Sequence, residues 1–192
     1  RSLYVEWGGK ELASRQHVCW QGTVWDENGM ESEASEIAEF EIALQHNAEW
    51  EARWIHFDGN NPACSSPSPY FRHEFSCGKE IAKARLYVTA RGLFEARING
   101  KRIGNDYFVP GWTDFSQQIQ YMSYDITGSL KSGNNTIGAI LGDGWYCGYL
   151  SGRRRNLYGA YPEFLARLEI LYKDGTSEAI TSGEGWKTAT GP

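Results

Sequence analysis

Apolar and polar side chains alternate with a period of two along several short segments of this chain, a pattern typical of half-buried β-strands. The alternation is clearest in segments 85–90, 94–98, 137–141 and 164–172. Turn-forming residues separate these segments, and no part of this region sustains a helical period over three turns. The pattern therefore predicts an all-β fold, an antiparallel β-sandwich of the jelly-roll or galactose-binding-like type.

A hairpin is predicted at Asn99-Gly100, because both residues tolerate the positive φ angles of a two-residue turn. Such a turn places Arg97 opposite Arg102 on the neighbouring strand. Two like charges in that position repel each other unless a carboxylate such as Glu95 lies between them. The sequence thus predicts a strand register together with one electrostatic conflict.

A shorter β block precedes this region. Residues 18–25 alternate as a strand, residues 26–29 have turn chemistry, and residues 36–44 can form the returning strand. A seven-strand sandwich needs roughly 100 residues, so we expect only part of a domain here. An open sheet edge invites pairing between copies, and the block predicts a dimer or disorder near the N-terminus.

Segment 58–69 is dense in Asn, Pro, Ser and Gly, a composition typical of a loop between folded parts. We interpret residues 56–69 as a linker. The predicted organisation is a partial β domain over 1–55, the linker, and the sandwich over 70–192.

Composition limits the partners of the chain. Its 192 residues include 8 Trp, 11 Tyr and 22 Gly, a mixture that favours short strands and turns. The formal net charge of −5 argues against nucleic acid or an anionic membrane surface as a partner, and it suits a neutral ligand such as a glycan. No apolar run approaches the roughly 18 residues of a membrane span.

Cysteine and histidine spacing indicates neither a metal site nor a bound cofactor. The four cysteines form no C-x-x-C pair; three disulfide pairings are open to them, and free thiols are the default in a chain of this size. The four histidines show no ligand spacing, and no glycine-rich phosphate loop precedes a helix.

One segment carries the best candidate chemistry, Gly142-Asp143-Gly144-Trp145-Tyr146 at the end of a predicted strand. Aromatic rings cover the C–H face of a sugar ring and a carboxylate accepts its hydroxyl groups, so the segment suits a sugar-facing surface. The alternative is that Trp145 and Tyr146 are core residues beside a tight turn, since large aromatic side chains are mostly buried.

Several motifs follow one another in fixed order from residue 66 onward. They are Ser68-Pro69-Tyr70-Phe71-Arg72, Ile98-Asn99-Gly100-Lys101-Arg102, Pro110-Gly111-Trp112-Thr113-Asp114, Tyr124-Asp125-Ile126-Thr127, Gly133-Asn134-Asn135-Thr136 and Gly142-Asp143-Gly144-Trp145-Tyr146. In this order they resemble the N-terminal β-sandwich domain of bacterial α-L-rhamnosidases, glycoside hydrolase family 78. Segment 25–55 resembles the end of the fibronectin type III-like domain that precedes this sandwich in the family.

The resemblance implies that the catalytic acids lie in an α/α barrel downstream, so that no catalytic residue is expected in this chain. The parent enzyme would hydrolyse terminal α-L-rhamnose with inversion, using two carboxyl groups of that barrel. The localisation of the parent enzyme is left open. A periplasmic or extracellular location is expected rather than a cytoplasmic one.

Two roles remain open for the chain itself. It is either an accessory domain that packs on the barrel, or a carbohydrate-binding module that contacts rhamnose-containing glycans. A looser resemblance, to the sugar-binding sandwich of β-galactosidase-type enzymes, also allows the second role. The candidate sugar-binding residues are Trp112, Asp114, Asp143, Trp145 and Tyr146.

Overall fold

Antiparallel strands account for nearly all of the regular structure in the computed structural model of the protein, which describes residues 6–150 and 154–191. The chain divides into two compact units, Arg1–Glu49 and Trp50–Pro192. The helices among the described residues are each about one turn long, and none has the length and apolar character needed to cross a lipid bilayer.

The first unit contains a short antiparallel pair, β1 (His17–Trp20) and β2 (Ala38–Glu41). The sequence predicts longer strands, over 18–25 and 36–44. The two strands form where they were expected, and regular pairing is confined to four residues in each.

Serine hydroxyls explain why the ladder becomes irregular beyond β1. The backbone N–H of Gly22 donates to Ser35 Oγ and that of Val24 donates to Ser32 Oγ, each over 3.1 Å. A serine hydroxyl thus takes the place of one backbone acceptor at each point, while the Ser35 and Ser32 N–H groups still donate to the Gly22 and Val24 carbonyls. The predicted turn follows: the carboxylate of Asp26 accepts the backbone N–H of Asn28 at 2.9 Å and that of Met30 at 2.8 Å, and these bonds lower its pKa.

The second unit is a sandwich of two antiparallel sheets, as the alternation predicts. In the described residues its strands are β3 (Pro69–Cys77), β4 (Ile81–Arg91), β5 (Leu93–Ile98), β6 (Lys101–Arg102), β7 (Met122–Asp125), β8 (Gly133–Gly142), β9 (Glu163–Tyr172), β10 (Ser177–Thr181) and β11 (Lys187–Thr190). One sheet has the order β10-β9-β4-β7 and the other the order β11-β3-β8-β5-β6.

The apolar faces of these strands fill the space between the two sheets. Leu86 of β4 and Leu168 of β9 are fully buried there. Phe164 of β9 bridges the layers, with its ring centroid 5.8 Å from that of Phe71 and 6.5 Å from that of Phe94. Burying each such side chain contributes about 1.5–3 kcal/mol, so this shared core is the main source of stability of the second unit.

The hairpin between β5 and β6 has the predicted register, with Arg97 paired with Arg102. Asn99 and Gly100 form the turn with φ angles of 51° and 80°. Glu95 resolves the electrostatic conflict, because its carboxylate lies 2.6 Å from Arg97 Nη2 and 3.5 Å from Arg102 Nε. The repulsion between the two arginines is therefore reduced within the hairpin itself.

Segment 50–55 is hydrogen-bonded to β9 of the four-stranded sheet, and the division between the units falls after residue 49. The sequence prediction puts that division after residue 55. Ile55 exchanges two backbone hydrogen bonds with Phe164, of 3.0 and 2.8 Å. The guanidinium of Arg167 donates to the backbone carbonyl of Trp50 at 3.1 Å.

All four cysteines are free. Cys19 and Cys64 are exposed, whereas Cys77 and Cys147 are buried. Burial raises the pKa of both buried thiols, because the charged thiolate loses its hydration.

Candidate functional site

The candidate residues cluster at one end of the sandwich, where β8 runs into a single helical turn, α1 (Gly144–Cys147). The chain turns sharply here, and Gly144 has a φ of +52°. A Cβ atom at Gly144 would also press on the side chain of Leu93, at 2.7 Å from its Cγ. Glycine at this position therefore allows both the conformation and the close approach, as the Gly-Asp-Gly motif suggests.

Tyr146 points into the sandwich end. Its side chain is buried and forms a small aromatic cluster with Phe115 and Tyr158, with ring centroids 5.5 and 6.4 Å from its own. Burial raises its pKa. The sequence left two alternatives for Tyr146, a sugar-facing residue or a core residue beside a tight turn. In the structure its side chain is buried, as expected of the second.

Trp112 lies on the surface beside this cluster, and Trp145 is half-buried and packs against it. Their rings are parallel within 4°, with centroids 6.1 Å apart. Phe108 contacts Trp145 edge to face at 6.5 Å. The exposed fraction is 54% for Trp112 and 70% for Phe108. We call these three residues, Phe108, Trp112 and Trp145, the aromatic shelf.

The loop that carries Phe108 and Trp112 is hydrogen-bonded to the sandwich at two points. The Phe94 N–H of β5 donates to the Val109 carbonyl at 3.0 Å, and the Thr89 hydroxyl donates to the Gln120 carbonyl at 2.6 Å. The loop is thus anchored at both ends. These bonds hold Phe108 and Trp112 near Trp145 of α1.

Asp114 is used within its own turn. Its carboxylate accepts the backbone N–H of Ser116 at 3.0 Å and the Ser116 hydroxyl at 2.6 Å. The hydroxyl bond is the main cause of its lowered pKa, so the group is ionised at neutral pH. A carboxylate held in this state is an acceptor and not a proton donor.

Asp143 forms an ion pair with Arg155, whose Nη2 lies 2.9 Å from Asp143 Oδ2. The Arg155 side chain is only 9% exposed, and its Nη1 donates to Ser65 Oγ at 2.6 Å. Its guanidinium also lies 5.3 Å from the centre of the Tyr149 ring. The arginine ties segment 62–65 to the end of β8, and it neutralises the carboxylate that the sequence offered as a sugar acceptor.

Sequence reasoning missed Phe108 and Arg155. Phe108 lies two residues before Pro110 of the Pro-Gly-Trp motif, whose proline and glycine are the signal for a turn in the sequence, and the chain does turn there, with a φ of +57° at Phe108. Arg155 belongs to a run of three arginines, a pattern that more often marks a solvated loop. The site therefore consists of an exposed apolar shelf beside two carboxylates that are already engaged.

Two family models match the chain. The model for the α-L-rhamnosidase N-terminal domain matches residues 79–192, and the model for the Rha78A-like N-terminal immunoglobulin domain matches residues 1–46. Immunoglobulin and fibronectin type III domains share the sandwich architecture, so the second match agrees with the predicted β block.

Known relatives are much longer than this chain. An α-L-rhamnosidase of Alteromonas sp. (strain LOR) is 40% identical over 200 residues, which cover 98% of this chain and 21% of the relative. An α-L-rhamnosidase of Formosa agariphila is 35% identical, with 99% of this chain and 21% of the relative covered. The chain spans about a fifth of the length of these relatives.

A solved structure shows the same fold. The crystal structure of native α-L-rhamnosidase from Aspergillus terreus matches with a TM-score of 0.90 at 34% identity, over 97% of this chain and 22% of that one. The chain belongs to the family of α-L-rhamnosidase N-terminal domains, of glycoside hydrolase family 78, as its motifs predict.

Proposed function

We propose that this chain is the non-catalytic N-terminal part of an α-L-rhamnosidase, and that its aromatic shelf packs against the catalytic domain of the same polypeptide. The observation that carries the proposal is the exposure of Phe108 and Trp112 on an anchored loop at one end of the sandwich. The substrate of the parent is a glycan that ends in α-L-rhamnose.

The length of the relatives supports a catalytic domain that is separate from this chain. About four fifths of each curated relative lies outside the matched region, which leaves room for a separate catalytic domain. Within this chain the two candidate carboxylates, Asp114 and Asp143, are engaged by Ser116 and Arg155. Glycoside hydrolysis needs one carboxyl group as a proton donor and a second as base or nucleophile, and the lowered pKa of Asp114 does not suit a proton donor.

The chemistry of the shelf favours a protein surface as its occupant. Its exposed area is aromatic, and the nearby charges are paired locally, so little polar capacity is left to satisfy sugar hydroxyls. Large exposed aromatic groups on a folded surface commonly mark interaction sites. The remaining part of the polypeptide is the partner that is always present, at high effective concentration.

Activity measurements test whether catalysis depends on a part of the protein outside this chain. We expect the full-length gene product to hydrolyse an aryl α-L-rhamnoside and the isolated chain to show no turnover. Turnover by the isolated chain, or a full-length protein that is inactive on every rhamnoside, would contradict the proposed function.

A substitution at the shelf tests docking. Trp112→Ala should lower the midpoint of thermal inactivation of the full-length enzyme, since a buried interface tryptophan contributes on the order of 2 kcal/mol. In the isolated chain the same change should have a small effect, because Trp112 is half exposed there. Trp25→Ala, at another exposed tryptophan, is the control. Equal effects of Trp112→Ala in both proteins would exclude docking.

Sugar binding is the second candidate, and the parallel rings of Trp112 and Trp145 favour it, because a flat aromatic face can stack on a sugar. Titration of the isolated chain with L-rhamnose, followed by tryptophan fluorescence, separates the two. Saturable quenching that is lost in Trp112→Ala supports a binding module. An unchanged signal up to high sugar concentration supports docking alone.

A further inference from the structure

Three side chains with metal-binding atoms come together in the first unit, far along the sequence from the aromatic shelf. They are His17 and Cys19 of β1 and Glu39 of β2, all exposed. One ligand atom from each lies within 4.8 Å of the other two. His17 Nε2 is 3.2 Å from Glu39 Oε2, and Cys19 Sγ is 3.8 Å from both His17 Nδ1 and Glu39 Oε1.

The strand pair itself creates this arrangement. Residues two apart on a strand share a face, which places His17 and Cys19 side by side, whereas Val18 between them is buried. The antiparallel register puts Glu39 directly opposite Cys19. Directly opposite residues have neighbouring Cβ atoms, so the thiol and the carboxylate meet without distortion of the backbone.

We propose that His17, Cys19 and Glu39 form a zinc-binding site on the first unit. A thiolate, an imidazole and a carboxylate are the three ligand types that zinc takes from proteins. Ligands at bond lengths of about 2.0–2.3 Å around a tetrahedral ion lie about 3.3–3.8 Å apart. With one ligand atom taken from each side chain, the separations within the cluster are at most 4.8 Å, and the side chains are exposed, so rotation about their side-chain bonds can close the remaining distance.

Three protein ligands leave one tetrahedral position for water or an external ligand. On binding, the metal displaces the thiol proton of Cys19, which passes to the solvent, and it replaces the hydrogen bond between His17 and Glu39. The ion then links β1 to β2 through side chains of both strands. Since the regular ladder between them is only four residues long, the site would stabilise this strand pair in particular.

The charge distribution of the chain favours a cation at this place. Residues 1–49 contain ten Asp and Glu side chains but only three Lys and Arg side chains. The acidic surplus of the whole chain therefore lies in the first unit, and it raises the local concentration of divalent ions. Among the described residues no other group of three such side chains meets the same distance criterion.

The sequence alone does not indicate this site, because the spacing of its residues is not a recognised zinc pattern. His17 and Cys19 are separated by a single residue, and Glu39 lies 20 residues after Cys19. A His-x-Cys pair indicates a shared face only once the segment is known to be a strand. The third ligand depends on the register.

Spectroscopy with Co²⁺ as a substitute for zinc tests the site directly. The chain should bind one equivalent of Co²⁺ with a thiolate-to-metal charge-transfer band in the near ultraviolet, and Zn²⁺ should displace the ion. Cys19→Ser should abolish the band, and His17→Ala and Glu39→Gln should each weaken Zn²⁺ binding on the order of tenfold or more. Cys64→Ser removes the other exposed thiol and is the matched control; it should leave both signals intact.

Circular dichroism of each variant without metal checks that the fold is retained. We expect the variants to fold, because all three ligand residues are exposed. A thermal shift on addition of Zn²⁺ that disappears in Cys19→Ser gives a second readout. The proposal fails if Cys19→Ser binds Zn²⁺ as tightly as the unmodified chain, if the Co²⁺ band is lost in Cys64→Ser instead, or if the folded chain binds no Zn²⁺ at micromolar concentration.

Discussion

The Glu49 carboxylate of the first unit accepts hydrogen bonds from two separate segments of the chain. Its carboxylate accepts the Ser14 hydroxyl at 2.8 Å and the backbone N–H groups of Gln45 and His46 at 3.0 and 2.9 Å. Arg15 Nη1 lies 2.7 Å from it. These bonds, with the Ser14 hydroxyl as the largest contribution, lower its pKa from 4.5 to about 2. One ionised side chain thus joins two distant segments of the unit.

The stability of the first unit should therefore depend on pH through Glu49. A pKa lowered in the folded state means that the ionised group stabilises the fold above pH 4.5 and that this contribution is lost as the pH falls toward about 2. Glu49→Gln should lower the urea midpoint of the unit at neutral pH and make it less sensitive to acid. Glu33→Gln, at an exposed carboxylate of the same unit, is the control. Parallel acid profiles for unmodified chain and Glu49→Gln would refute the role of Glu49.

At the scale of elements, the hairpin of β5 and β6 shows how one carboxylate reduces the repulsion between two arginines within one pair of strands. Two arginines face each other across the ladder, and Glu95 contacts both. The arrangement depends on three partly exposed side chains, so its contribution is modest and sensitive to salt.

Glu95→Gln should destabilise the second unit by about 0.5–1 kcal/mol, because Arg97 and Arg102 are then left unshielded. Urea unfolding at low and high ionic strength measures the loss, which should shrink with added salt. In an Arg97→Thr background the same change should cost less, and the double-mutant cycle isolates this coupling. Equal costs in both backgrounds would show that Glu95 acts in another way.

Local chemistry made this hairpin predictable from sequence, since the turn residues and the alternation lie within ten positions of one another. The aromatic shelf was predictable only in part. Trp112 and Trp145 stand in recognisable glycine-rich motifs, but their stacking joins a loop to a helical turn 33 residues later. The engagement of Asp143 by Arg155 also depends on a fold that brings separate segments together. Composition can identify such residues as candidates, but it cannot show which carboxylates already form ion pairs.

At the scale of the whole molecule, the division between the two units follows from contacts of long sequence separation. Arg167 of β9 bonds to the Trp50 carbonyl and lies 2.9 Å from a carboxylate oxygen of Glu51, partners 117 and 116 positions away. A break in composition at residue 58 is visible in the sequence, and these contacts are not. Self-association through the first unit, which the open sheet edge suggests, stays a prediction for light scattering to test.

Two truncated chains test the role of segment 50–55. A chain of residues 50–192 should fold with the stability of the second unit in the full chain. A chain of residues 56–192 should be less stable by about 2 kcal/mol or more, because it loses the two backbone bonds of Ile55 and the Arg167 contacts with residues 50 and 51. Urea midpoints of the two chains decide the matter. Coincident midpoints would mean that the segment is dispensable.

Because two of the four thiols are buried, dyes can be directed to the two exposed ones, and the distance between the units can be measured. Cys19 and Cys64 are exposed and lie one in each unit, whereas Cys77 and Cys147 are buried with thiol pKa values raised by burial. Maleimide dyes react with exposed thiols and only slowly with such buried ones. A donor and an acceptor fluorophore can therefore be attached without any engineered cysteine, and energy transfer between them would report the distance between the units in solution.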